Sequence, residues 1–160
     1  MQAWSAFFQV QAGASAALLG LVFVSLSINS TRIIASKHLP NRALEAMVIL
    51  FLNLAFSSIC LVPGQAERMP AIETLGLVGA VWLILSLLHH HTMRHIEYDF
   101  THRAWFNMIV GQVVALSWFL GGLALWFQGE AGVGWLVPSI MLSYVLALLN
   151  AWVLLVEINR

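Results

Sequence analysis

A chain of 160 residues with 61% apolar side chains and 9% charged ones lacks the polar surface of a soluble domain, which carries roughly 25% charged residues. Seven basic and seven acidic residues cancel to zero net charge, so there is no basic footprint for nucleic acid. A single cysteine, Cys60, rules out an internal disulfide framework.

The first apolar run predicts a membrane span over residues 7–28. No basic residue precedes it and no cleavage site follows a short core, so it reads as a retained span rather than a signal peptide. Within it Gln9, Gly13, Ala16, Gly20 and Ser27 recur at three- and four-residue steps or their multiples and share one helix face. Small and polar groups gain nothing from lipid, so this face is a candidate helix interface or pore lining. A short loop with Arg32, Lys37, His38 and Arg42 leads to a second span, 43–62, which ends at Pro63-Gly64. Asn53 and Ser57 lie one turn apart in it, and Glu45 near its start reads as a capping or headgroup-level charge.

The third span, 71–88, has small residues at Gly76, Gly79 and Ala80. A polar connector, His89 to Arg103, holds five of the six histidines and leads to a fourth span, 104–127. There Asn107, Gly111, Val114, Trp118 and Gly121 make a second mixed stripe. QGEAGVG reads as a turn, and the fifth span, 135–156, carries Pro138 in its first turn, where it removes no helical hydrogen bond.

Each run of 18–24 residues matches the ~30 Å hydrocarbon core at about 1.5 Å per residue. Backbone groups in lipid must be satisfied internally, and unbroken apolar runs fit helices, not an alternating β-barrel. The expected fold is therefore an all-α integral membrane protein of five transmembrane helices, residues 1–160 forming one transmembrane domain. Of the seven basic residues, all but Arg68 lie on one side of that five-span map. This predicts an N-terminus outside and a C-terminus in the cytoplasm. The expected location is the cell membrane as a multi-pass protein, which in a bacterium is the inner membrane.

His91, His95 and Asp99 are spaced by four, and His102 follows closely. On a continued helix the first three share one side, and imidazole with carboxylate suits a divalent metal ion. The set lacks the HEXXH form, and integral-membrane di-iron oxygenases, which also contain HxxxH, need several separate histidine clusters that this chain lacks. Serine and cysteine have no base at matching depth, and no phosphate-binding loop or dinucleotide fingerprint occurs. These absences weigh against an enzyme. The leading expectation is an oligomeric, channel-like protein that conducts small ions, lined by the small and polar faces of the first and fourth spans and modulated by the cytoplasmic histidine cluster. The lipid bilayer and further copies of the chain are the expected partners. One alternative is a structural or regulatory partner of another membrane protein; another is a metal-binding membrane enzyme.

Overall fold

The computed structural model describes residues 1–35, 39–66, 68–95 and 101–158. A 3-10 turn at Gln2–Trp4 precedes α1 (Ser5–Ile28), short α2 (Ser30–Ala35), α3 (Leu39–Leu61), α4 (Met69–His95), α5 (Thr101–Gln128), a second 3-10 turn at Gly129–Gly132, and α6 (Val133–Ile158). Helices α3, α4, α5 and α6 pack in a closed ring, each against the next and α6 back against α3. Helix α1 lies outside the ring, against α3.

The polarity is inside-out relative to a soluble bundle. Val10, Leu21, Leu83, Leu87, Phe106 and Trp152 are exposed on the outer surface, while Glu45, Asn53, Ser57, Thr74, His89, Ser143 and Asn150 are buried within. Water would penalise that arrangement and hydrocarbon favours it. This is a helical, membrane-embedded protein with several spans, consistent with a cell-membrane location.

The count of spans needs correction. Among the described residues four helical stretches, not five, are long and apolar enough to cross a membrane: Ser5–Ile28, Leu39–Leu61, Met69–Met93 and one of 50 residues, Trp105–Leu154. The turn expected to separate a fourth span from a fifth is itself helical: Gly129–Gly132 is a 3-10 turn, so the apolar stretch runs on from α5 into α6. That long stretch is a hairpin. Gly129 takes a positive φ of 59°, open to glycine at little cost, and beyond it Leu136 returns to pack on Gly121. The five-span map falls by that count, and with it the outside-to-cytoplasm orientation read from the side of the map on which the basic residues lie.

Three helix starts also differ from expectation. Helix α3 begins at Leu39, with Pro40 in its first turn, where no N–H is needed and φ is already set. Glu45 is thereby the seventh residue of the helix rather than a terminal charge. Pro70 plays the same part in α4, which continues through the first connector histidines to His95. Helix α6 starts at Val133, so Pro138 is its sixth residue. It lies past the first turn and leaves the Gly134 carbonyl without a helical donor.

Two ends of the bundle can be told apart. At one, the Met1 amino group and the Ala3 N–H contact Glu130, and Arg68 lies over the Trp126 ring at 5.4 Å. At the other, Asn41 donates to Thr92 Oγ1 at 2.9 Å. Edge-to-face aromatic pairs tie the layers together, from Phe8 on α1 to Phe56 on α3 to Trp118 on α5, with centroids 5.6 and 5.1 Å apart.

Candidate functional site: a buried carboxylate–imidazole pair

Three helices bring one polar cluster together inside the apolar ring. From α3, Glu45 lies on the face shared by Ile49, Asn53 and Ser57, and only 3% of it is exposed. From α4, His89 lies above Leu85 and Trp82 on the inward side and is 8% exposed. From α5 come Asn107, Gly111 and Gln112. His89 Nε2 is 3.2 Å from Glu45 Oε1. Asn107 Nδ2 donates to the other carboxylate oxygen at 2.6 Å. On the far side of the ring, Gln112 Nε2 meets His89 Nδ1 at 3.5 Å, and Trp82 Nε1 donates to Gln112 Oε1 at 2.6 Å.

One assignment of donors and acceptors satisfies these contacts together. An indole N–H can only donate, so Trp82 claims the amide oxygen of Gln112 and turns its NH₂ towards the histidine. His89 Nδ1 must then accept, which leaves the hydrogen on Nε2 facing Glu45. The carboxylate receives one donor on each oxygen. A further proton arriving at Nδ1 would meet the amide hydrogens of Gln112, and Gln112 can turn over only by giving up its bond to Trp82.

Gly111 makes the close approach possible. A Cβ at this position would lie 2.8 Å from His89 Cε1 and 3.1 Å from Glu45 Oε1, well inside the 3.5–4.0 Å at which carbon atoms pack comfortably. The site needs glycine on α5 for space, not for backbone freedom.

A second feature lies deeper. Among the described residues, six buried side-chain atoms have no hydrogen-bond partner: Gln11 Oε1, both amide atoms of Asn53, Ser57 Oγ and both amide atoms of Asn150. Each unmet buried group costs about 1–3 kcal/mol. Together that is on the order of the 5–15 kcal/mol by which a whole domain is stable. Other buried polar groups are paired. Ser15 Oγ bonds the Tyr144 hydroxyl at 2.7 Å, Trp118 Nε1 donates to Ser143 Oγ at 2.7 Å, and Thr74 Oγ1 donates to the Pro70 carbonyl at 2.6 Å.

The residues singled out in the sequence fall into three groups. Gln9, Gly13, Ala16, Gly20 and Ser27 lie exposed on α1, and a Cβ added at Gly13 or Gly20 would meet nothing within 4 Å. Asn107 and Gly111 lie at the Glu45–His89 pair. Of the metal-site set, His91 is exposed, with Asn41 Nδ2 3.3 Å from its Nδ1. Asp99 lies outside the described residues, as do the side chains of His95 and His102. Among the described residues no three histidine, cysteine, aspartate or glutamate side chains come together as a metal site would require.

The sequence marks Glu45 only as a capping or headgroup-level charge and His89 only as the edge of the connector, and it gives no site role to Gln112 or Trp82. The available signal was the four-residue spacing of Glu45, Ile49, Asn53 and Ser57, which places the glutamate on the polar face already visible in its helix. No family model, no curated protein and no solved structure matches the chain.

Proposed function

We propose that this protein moves small ions across the membrane, protons foremost, and that Glu45 and His89 are the groups that bind and release them. One observation carries the reading. A carboxylate and an imidazole, both buried, are hydrogen-bonded to each other inside an apolar helical bundle. Ionisable groups are expensive in such a setting and are kept where they serve an ion or proton path. Imidazole and carboxylate are also the side chains suited to exchange protons near neutral pH. The Trp82–Gln112 bond acts as the latch. Loading His89 at Nδ1 requires Gln112 to turn, which links the charge of the site to packing between α4 and α5.

The channel-like, oligomeric part of the reading is supported by α1. Its small and polar face is turned outward from the ring, where a second copy of the chain could cover it.

The test is proton flux in liposomes holding the purified protein and an internal pH dye, driven by a potassium diffusion potential. Wild-type protein should acidify or alkalinise the lumen according to the sign of the potential. Glu45→Gln and His89→Gln should reduce the rate to near that of empty liposomes. A folded wild-type protein with background flux at both signs of potential overturns the proposal.

A further inference from the structure

We infer that a thread of internal water runs along the buried face of α3, from an open cleft at the Glu130 end of the bundle to the depth of the Glu45–His89 pair. The cleft has a volume of about 410 Å³ and is lined in part by Cys60, Leu61, Pro63, Gln65 and Glu130. Cys60, Ser57 and Asn53 follow one another at three- and four-residue steps, so they share a face of α3 that leads from the cleft inward. At about 1.5 Å per residue, Ser57 lies ~6 Å and Asn53 ~12 Å below Leu61, and Glu45 lies ~24 Å below it.

Among the described residues, every orphaned polar atom belongs to α3 or to a helix that packs on it. Ser57 and Asn53 are on α3, Asn150 is on α6, and Gln11 is on α1, which packs on α3. Asn53, Ser57 and Asn150 are fully buried and Gln11 is nearly so, so neither lipid headgroups nor a second copy can reach the three. An asparagine amide offers two donors and an accepting oxygen, and Asn53 and Asn150 use none of them. They cannot satisfy one another. Leu61 and Glu130 line the same cleft, which sets the starts of the two descents level. Asn150 then lies ~26 Å down α6 from Val133, roughly 14 Å deeper than Asn53. A water needs two to four polar partners, and these helices supply unmet ones at successive depths. Ile49 separates Asn53 from Glu45 on α3, and Asn150 supplies a polar group on α6 at about the depth of Glu45.

The presence of the water does not depend on what it carries, but its role as a feed to Glu45 and His89 rests on the proton reading above. The experiment is water-edited solid-state NMR of the full chain in lipid bilayers, with side-chain ¹⁵N-labelled asparagine, alongside the flux assay. Polarisation should pass from water to the Asn53 and Asn150 amides as fast as to the partly exposed Asn29 and Asn41. Asn53→Leu should remove the transfer at Asn150 or slow it sharply while the thermal melt shows a folded protein. Dry amides overturn the inference, including the case in which Asn53 simply bonds Gln11. An Asn53→Leu protein that is more stable than wild type with transfer at Asn150 unchanged overturns it as well. Wet amides with background proton flux support the thread and count against the transport reading alone. Dry amides with strong flux do the reverse.

Discussion

Replacing Gly111 by alanine tests whether the close approach of α5 is what seats the carboxylate–imidazole pair. The new Cβ would stand 2.8 Å from His89 Cε1 and 3.3 Å from Nε2. Restoring a normal carbon–carbon separation moves the ring by about 0.7 Å or more. The Nε2–Oε1 hydrogen bond begins at 3.2 Å, near the long end of the accepted range, so that movement breaks it. A hydrogen bond to a charged group contributes about 1.5–3 kcal/mol. Against this stands the helical preference for alanine over glycine, worth about 1 kcal/mol. The expected net effect is a loss of about 0.5–2 kcal/mol, read as unfolding in mixed detergent micelles. The control is Gly20→Ala, whose Cβ meets nothing within 4 Å and which should be neutral or stabilising. The imidazole ¹⁵N shifts of His89 should change in Gly111→Ala. A variant as stable as wild type, with those shifts unmoved, would refute the reasoning.

Two other outcomes follow from the outer helix. Tyr144→Phe removes the hydroxyl that bonds Ser15 and donates to the Gln11 carbonyl at 3.2 Å. It should cost about 1 kcal/mol and speed amide exchange in α1 relative to α3, and equal exchange in the two proteins would show that this tether is unimportant. Gly13→Leu with Gly20→Leu should leave the monomer's melt unchanged, because both positions face open space. If α1 joins copies of the chain, this double variant should lose the cross-linked oligomer seen with wild type in lipid, and persistence of that oligomer would move the interface elsewhere.

The apolar runs made the helices legible, because long stretches without charge have few other solutions in a chain of this composition. The run through Gly129–Gly132 was not legible. A glycine-rich polar tetrad is written the same way whether it forms an open loop or a 3-10 turn that carries helix into helix. Pro40 misled in a similar manner. A loop that runs through Pro40 to Arg42 starts the span at residue 43 and leaves Glu45 a terminal charge. As a first-turn proline, Pro40 puts Glu45 two turns into the helix and on its buried face. The spacing of Asn107 and Gly111 marked a face of α5, but what that face meets is Glu45, 62 residues from Asn107 along the chain. Local periodicity has no access to that pairing. The histidines show the same limit. Their density points to the connector, whereas among the described histidines the one that turns inward, His89, is the one at its edge.

The position of α1 outside the ring has a consequence for how the protein is made. Its buried hydroxyl, Ser15, finds its partner 129 residues later, at Tyr144. At translation rates of about 5–20 residues per second, that partner emerges roughly 6–26 s after Ser15 has left the ribosome. During that interval α1 has α3 to lie against, while its Ser15 hydroxyl stays without Tyr144. The α1–α6 tether therefore closes after the α1–α3 contact, and a chain arrested before α6 should hold α1 on α3 with that hydroxyl still open.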